Sequence, residues 1–172
     1  DATFSIVATG TYQWQVSTAA VPAFTNIGGA ASASFTVTGA AAGLNGNQYR
    51  CVVSSQCGST NSNAAILTVN TAPAITAQPQ SVTLCAGSNN TFNVAATGTG
   101  ITYQWQISTT AVPAFTDIPS ATSASYAVTG ITAGMNGNQY RCVVSGSCTP
   151  AATSNAATLT VSTNSINITA QP

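Results

Sequence analysis

The strongest constraint on the fold of this chain is an internal repeat. The pentapeptide Thr-Tyr-Gln-Trp-Gln occurs at 11–15 and again at 102–106, which gives an offset of 91 residues (102 − 11). Residues 45–54 recur as residues 136–145 at the same offset. A unit of this length is typical of a small sandwich of two β-sheets, which takes about 100 residues. The 172-residue chain is therefore expected to hold two related domains.

The two repeats begin at different points of the unit. The second opens with a segment, Ala74–Gly87, that has no match in the first, because Asp1–Phe4 aligns with Asn89–Phe92. Part of this opening recurs at the other end of the chain, where Ile168–Pro172 repeats the Ile-Thr-Ala-Gln-Pro of Ile75–Pro79. We therefore expect a domain without its first strand at 1–72, a complete domain at 73–164, and the first strand of a following domain or subunit at 165–172.

Apolar residues alternate with polar ones along most segments of the repeat. In Tyr103–Ile107 the odd positions are apolar, and the two glutamines between them are expected to point outward. Valine and threonine favour strands, and clusters of glycine and asparagine supply turns. Short strands at regular spacing predict an all-β fold made of tandem β-sandwiches.

The charged residues exclude several classes of function. The chain has two arginines and two aspartates, and it has no lysine, glutamate or histidine. General acid–base and nucleophilic catalysis need a titratable partner near neutral pH, and zinc and iron sites draw on histidine and carboxylates. We therefore predict that the chain is not an enzyme and holds no metal or cofactor. We also predict no binding to nucleic acid, whose phosphates require several cations.

The low charge also determines the character of the surface. Charged residues make up 2% of the chain, against about 25% in an average soluble domain. Little charge repulsion keeps copies of such a chain apart, which suits a molecule that associates with itself. No apolar run approaches the ~20 residues that cross a bilayer, so the sequence predicts no membrane span.

Two motifs resemble those of a known domain family. Trp105, followed by Tyr140-Arg141-Cys142, resembles the strand-C tryptophan and the strand-F Tyr-x-Cys of immunoglobulin-like (Ig-like) domains, and Trp14 with residues 49–51 repeats the pattern. With Cys85-Ala86-Gly87 and Ser154–Ala157, the pattern looks like the tandem Ig-like repeats of very large secreted surface proteins in Bacteroidota-type bacteria. The resemblance implies tandem Ig-like β-sandwiches and an extracellular location, where such repeats serve as adhesins, filaments or stalks.

The same resemblance bears on two of the five cysteines. Antibody domains place a second cysteine on strand B, opposite the cysteine of strand F. Here Val94 takes that place opposite Cys142, so the disulfide between the two sheets is expected to be absent. Cys51 and Cys142 are then expected to be buried free thiols that act as small apolar side chains.

The other three cysteines lie outside the predicted core strands. Cys85 precedes strand B and Cys148 follows strand F, and both lie toward domain ends. We expect a disulfide between them, with Cys85–Cys142 as the alternative. Cys57 is the counterpart of Cys148 and is expected to be unpaired or paired outside the chain.

Polar side chains on the outer face of one predicted sheet have two interpretations. They form either a binding stripe or cross-strand pairs that cover a solvated sheet. Asp117 is a possible partner of Arg141, while Phe24 and Phe115 are expected to fold back onto the core. The stripe consists of Gln13, Gln15, Arg50, Gln104, Gln106 and Arg141.

The leading functional hypothesis is a structural repeat of an extracellular bacterial filament or surface fibre, whose main partner is another copy of itself. The terminal strand either begins the next domain of a long covalent array or inserts into the first domain of the next subunit. Alternating residues of that strand are the expected contacts between subunits: Ile166, Ile168, Ala170 and Pro172.

Two other functions fit the same sequence. One is an adhesin or carbohydrate-binding Ig-like module that recognises cell-surface glycans. The other is a passive spacer beside a catalytic domain. A sandwich fold alone does not decide among them, since this fold hosts many functions.

Overall fold

A computed structural model describes residues 1–162 of the chain. The chain divides into two units, Asp1–Asn70 and a second that begins at Thr71. Within the described residues each unit is built from β-strands and one short 3₁₀ turn, at Ala42–Leu44 and at Ala133–Met135. None of the helical turns in residues 1–162 has the length and apolar character that a membrane span requires.

The first unit contains two β-sheets. One pairs β1 with β4, and the other has the order β3-β2-β5-β6, with β7 also beside β5. The strands are β1 (Ala2–Ser5), β2 (Thr11–Ser17), β3 (Thr25–Asn26), β4 (Ser34–Val37), β5 (Gln48–Ser55), β6 (Gly58–Asn61) and β7 (Ala65–Ile66).

The second unit repeats this arrangement and adds two strands at its start and a third, β11, that pairs with one of them. One sheet has the order β13-β12-β15-β17-β9, with β16 beside β15, while β10 pairs with β14 and β11 with β8. The two strands at the start are β8 and β9, and β9 runs parallel to β17. The strands are β8 (Ala74–Ala77), β9 (Val82–Cys85), β10 (Asn90–Asn93), β11 (Ala95–Thr97), β12 (Thr102–Ser108), β13 (Thr116–Asp117), β14 (Ser125–Val128), β15 (Gln139–Ser145), β16 (Ala152–Thr153) and β17 (Ala157–Ser162).

The core of the second unit follows from the period-two pattern of its strands. In β15, Tyr140, Cys142 and Val144 are buried, and the residues between them are not. Phe92 stacks on Tyr140 with ring centroids 4.8 Å apart. The all-β fold of tandem sandwiches that the sequence predicts is therefore confirmed.

The buried tryptophan of each unit has a partner for its polar atom. Trp105 Nε1 donates a hydrogen bond to the Ser123 carbonyl at 2.9 Å, and Trp14 Nε1 donates to the Ser32 carbonyl at 2.9 Å. Burial of the indole therefore leaves no unpaired donor, which would otherwise destabilise the core.

Two glycines allow the chain to pack closely where it enters β8. A Cβ atom on Gly98, whose φ is +144°, would lie 2.9 Å from Pro73 Cα, and one on Gly146 would lie 2.9 Å from Pro73 Cγ. Any other residue at these positions would push Pro73 and the start of β8 away from the sandwich.

Candidate assembly groove of the first unit

The two units differ most at the strands that open the repeat. In the second unit, β8 pairs with β11 and β9 pairs with β17. Residues 1–70 contain no counterpart of β8 or β9. Within residues 1–70, no strand pairs with the two edges that β8 and β9 cover in the second unit, and we call them the β1 edge (residues 7–9) and the β7 edge (residues 66–70).

The β1 edge lies just after β1. Its counterpart in the second unit, Ala95–Thr97, is a strand that pairs with β8. Residues 7–9 are not in a strand, and the side chain of Val7, which aligns with Ala95, is fully exposed. The Ala8 carbonyl accepts a hydrogen bond from the Tyr12 hydroxyl, and within the described part of the chain no backbone–backbone bond involves residues 7–9. A backbone edge of this kind beside an exposed branched apolar side chain is a template for a further strand.

The β7 edge shows the same difference at the end of the unit. Strand β17 spans six residues, whereas its counterpart β7 spans two. The longer strand is paired with β9 from Leu159 to Ser162. In the first unit Ile66 is 65% exposed, although the neighbouring Leu67 is 5% exposed.

A groove of about 220 Å³ lies in the first unit near these two edges. Three aromatic rings line it, and two of them, Phe4 and Tyr49, are stacked with centroids 4.8 Å apart. Serine and asparagine form the polar part of its lining. The lining residues are Phe4, Ser5, Ile6, Trp14, Tyr49, Ser62, Asn63 and Ala65.

Several of the aligned residues of the second unit are covered more completely, although a cavity of about 370 Å³ lies beside Phe92, Asn93 and Val94. Phe92, which aligns with Phe4, is 1% exposed, and Ala157, which aligns with Ala65, is 0% exposed. Phe4 is half-buried and Ala65 is exposed. Since the two units have nearly the same residues here, the difference in exposure comes from the segment of chain that covers these residues in the second unit.

In the second unit the chain crosses this region between β8 and β9. Gln78 Oε1 accepts a hydrogen bond from the Asn155 N–H at 2.9 Å, and Ser81 Oγ accepts one from the Thr158 N–H at 2.9 Å. Pro79, between them, is buried. The crossing segment therefore pairs two backbone donors and buries its own proline.

The corresponding donors in the first unit are the amides of Asn63 and Ile66. Within residues 1–70, no side-chain oxygen is bonded to either of them. The groove therefore combines an apolar lining with an amide, that of Asn63, whose counterpart binds a glutamine side chain.

The residues predicted to fill such a groove are Ile166, Ile168, Ala170 and Pro172, and they lie outside the described residues. Their sequence counterparts in the second unit are described. Pro73 and Pro79 are buried and Ile75 is half-buried, but Ala77, the counterpart of Ala170, is exposed. The strict alternation expected for this strand therefore does not hold in its template.

Cys51 and Cys142 lie in the cores of their units, and each is 0% exposed. The Cys142 thiol lies 3.7 Å from the Val143 carbonyl, to which it donates a hydrogen bond. Burial raises the pKa of the Cys142 thiol above its ordinary value. A neutral, buried thiol of this kind is not an activated nucleophile.

The structure does not bring Cys85 and Cys148 together. Cys85 pairs with Ser162, which lies four residues beyond Thr158 along β17. Thr158 pairs with Gln139 at the start of β15. From Gln139, β15 runs six residues in the opposite direction to Ser145, and Cys148 follows beyond that end of the sheet. At about 3.3 Å per residue the two ends of the sheet are roughly 30 Å apart. A disulfide requires Cα atoms within about 7 Å.

The alternative partner of Cys85 is also too far away. Cys142 pairs with Trp105 in the middle of β15, roughly 20 Å along the sheet from Cys85 at the same rise per residue. All five cysteines, which lie within the described residues, are thiols in this structure, and Cys57 is exposed.

Four of the six residues of the outer polar stripe form cross-strand side-chain pairs, as one of its two interpretations predicted. Gln13 and Gln104 instead donate to the backbone carbonyls of Ile27 and Ile118. Gln106 Nε2 donates to Asp117 Oδ1 at 2.8 Å, and Arg141 Nε donates to Gln106 Oε1 at 2.8 Å. Gln106 therefore joins Asp117 to Arg141. The first unit repeats the bonds through Gln15, with Asn26 in place of the aspartate.

Two phenylalanines lie elsewhere than the sequence predicted. The Arg141 guanidinium carbon lies 3.9 Å from the centre of the Phe115 ring, and that of Arg50 lies 4.0 Å from the Phe24 ring. These rings lie under arginines rather than folding back onto the core, a cation–π arrangement. The recurrence of arginine and phenylalanine at the same offset was the available signal.

A protein-family model described as a domain of unknown function, DUF8696, matches residues 2–71 and again residues 74–163. The boundaries of the two matches fall close to the division between the structural units. No curated protein matches the chain.

Solved structures of tandem Ig domains are similar to this chain in fold. The first two Ig domains of DIP-gamma have a TM-score of 0.60 and 15% identity, over 88% of this chain and 84% of that one. Dpr2 Ig1-Ig2 in complex with DIP-Theta gives 0.60 and 16%, over 87% and 56%. The N-terminal four Ig domains of Dscam1 give 0.54 and 17%, over 88% and 37%. The tandem Ig-like fold predicted from the sequence is thereby confirmed.

Proposed function

Because the chain belongs to DUF8696, a family of domains of unknown function, we propose its function from the groove of its first unit. The chain is a structural repeat of an extracellular bacterial filament or surface fibre. Its copies join head to tail, and residues 165–172 of one copy add the missing first strand to the groove of the next.

One observation carries this proposal. The peptide Ile-Thr-Ala-Gln-Pro, which begins in β8 and covers the second unit as Ile75–Pro79, recurs at 168–172. The first unit has one matching edge, the β1 edge, and a groove beside it. The recurring peptide includes no sequence counterpart of β9, the strand that covers β17 in the second unit. Addition of a strand to an open sheet edge gives affinity through backbone bonds and specificity through side-chain pockets.

The geometry of such a contact leads to a fibre. The donating segment follows the second unit, and the accepting groove belongs to the first unit. A contact between two different surfaces does not close on itself by symmetry and therefore extends into an open chain of subunits. A surface with two positive and two negative side chains opposes this association very little.

The extracellular bacterial setting is supported by the sequence resemblance to surface repeats of Bacteroidota-type bacteria. The alternative function, glycan recognition, would use exposed polar or aromatic groups. On the outer stripe these groups are already bonded to one another through Gln15 and Gln106. This pairing favours the structural role.

The test is the assembly of the 172-residue chain, followed by electron microscopy and sedimentation. We expect fibres that dissolve under reducing, denaturing conditions into subunits of 17.1 kDa. The same chain without residues 165–172 should remain monomeric. Fibres formed without that segment, or natural fibres that dissolve into one very long polypeptide, would contradict strand exchange between copies.

A further inference from the structure

We infer that Gln171 and Pro172 set the register of the donated strand: Gln171 accepts a hydrogen bond from the Asn63 N–H, and Pro172 fills the groove between Phe4, Trp14 and Tyr49. This inference rests on the proposed function and adds the residues that make it specific. The occupant is the Ile-Thr-Ala-Gln-Pro segment of a second copy of this chain.

The second unit supplies the template for the glutamine. Gln78 holds the Asn155 amide across 77 positions of sequence, and Asn155 follows a serine whose hydroxyl binds the core strand β15 at Cys142. In the first unit Ser62 binds the Cys51 amide in the same way, at 2.9 Å. The Asn63 amide is therefore held in the same local structure as its counterpart.

The position of Asn63 makes the side chain of Gln171 the matching acceptor. Asn63 lines the groove together with Ser62 and the three aromatic rings. A strand in the register of β8 would bring the residue after Ala170 to this amide, because Gln78 follows Ala77 in the template. The sequence alone suggested apolar contacts at alternate positions and gave this glutamine no role.

Proline suits the next position for two reasons. Its counterpart, Pro79, is buried, and the backbone pairing of β8 has ended at Ala77. A residue with an N–H group would have to find an acceptor within an apolar groove. Proline has no N–H group, so it fills the space without leaving a buried donor unpaired.

Ala170 has a different role from the one predicted. Its counterpart Ala77 is exposed and pairs through the backbone with Ala95. Ala95 aligns with Val7, the fully exposed residue of the β1 edge. Ala170 therefore contributes backbone pairing at Val7, while Gln171 and Pro172 supply the side-chain recognition.

The experiment compares the critical concentration for fibre assembly of variants of the 172-residue chain. Gln171→Leu keeps the size of the side chain but removes the acceptor, and Gln171→Glu keeps an acceptor oxygen. We expect Gln171→Leu to raise the critical concentration about tenfold, the effect of leaving a donor unpaired. Gln171→Glu should assemble close to the natural chain. Pro172→Ala should also raise the critical concentration.

Thr169→Ser is the matched control, because the counterpart of Thr169, Thr76, is exposed. This variant should assemble like the natural chain. If Gln171→Leu and Pro172→Ala assemble normally while deletion of residues 165–172 stops assembly, the register is wrong and the proposed function stands. If the chain without residues 165–172 also assembles, or the unaltered chain remains monomeric, the register and the proposed function are both wrong.

Discussion

Trp105 and Cys142 lie directly opposite each other on β12 and β15, and both side chains are completely buried. Trp14 and Cys51 form the same pair in the first unit. A thiol packed against an indole thus occupies the centre of each sandwich, where antibody domains have a disulfide. Each unit is stabilised at this point by packing rather than by a covalent cross-link.

Truncation of the aligned phenylalanines should affect the two units unequally. Phe92→Ala removes a fully buried ring, and we expect it to lower the free energy of unfolding of the second unit by about 3–5 kcal/mol. Phe4→Ala removes a ring that is half-buried beside the groove, so its effect on the unassembled first unit should be smaller. Denaturation followed by fluorescence checks this, with Trp14→Phe or Trp105→Phe leaving one reporter per chain. Equal losses in both units would show that the groove is not open.

The stability of the second unit should fall at alkaline pH. Burial raises the pKa of the Cys142 thiol above its ordinary value of 9.0. Below that value the thiol is neutral in both states, whereas above it the unfolded chain ionises first and is favoured. The free energy of unfolding should therefore be constant below about pH 9 and decline above it.

Two substitutions separate the groups responsible for this decline. Cys142→Ala should make the free energy of unfolding fall less steeply just above about pH 9, although it lowers stability at every pH by leaving a cavity. Burial also raises the pKa of Tyr140 above its ordinary value of 10.0, so Tyr140→Phe should flatten the part at higher pH. The slope, measured by urea unfolding from pH 7 upward, is the readout. An unchanged slope in Cys142→Ala would contradict this assignment.

Four of the five cysteines should divide into two classes by their rate of alkylation. Cys57 and Cys85 are exposed, and Cys51 and Cys142 are buried. Under native conditions iodoacetamide should modify the exposed pair quickly and the buried pair at the rate of unfolding, since only an accessible thiolate reacts. Mass spectrometry of the labelled peptides measures both rates. Fast labelling of Cys142 in the folded chain would contradict its burial.

The charge of Asp117 should matter very little. Asn26 accepts the same 2.8 Å bond from Gln15 that Asp117 accepts from Gln106. Asp117→Asn should therefore change the free energy of unfolding by less than about 0.5 kcal/mol, as is usual for exposed pairs. Gln106→Ala removes the residue that links Asp117 to Arg141 and should destabilise the unit by about 1 kcal/mol. Thermal unfolding at low and high salt compares the two variants. A stability change on Asp117→Asn that depends strongly on salt concentration would contradict the prediction that the charge matters little.

The sequence predicted the strands and the core well because both depend on local alternation. Tyr140, Cys142 and Val144 could be assigned to one face from their spacing alone. The repeat alignment also predicted a first unit without the opening segment of the repeat, and this stays a prediction. The outer pairs were one of two alternatives, and the cross-strand register of Gln106 and Arg141 decided between them.

The relationships that the sequence did not predict depend on long-range geometry. Cys85 and Cys148 both lie toward domain ends, but sequence position does not say which end, because strand direction alternates through the sheets. The bond from Gln78 to the Asn155 amide joins distant residues where the chain crosses between sheets. No local pattern marks a glutamine for such a contact.

Amide hydrogen exchange at residues 7–9 tests the central claim most directly, because these residues form the open β1 edge. The 172-residue chain assembled into fibres should protect these amides as strongly as those of Ala95–Thr97, which pair with β8. The chain without residues 165–172 should leave residues 7–9 unprotected and Ala95–Thr97 unchanged. If residues 7–9 exchange equally fast in both samples, no strand is added at this edge, and the account is contradicted.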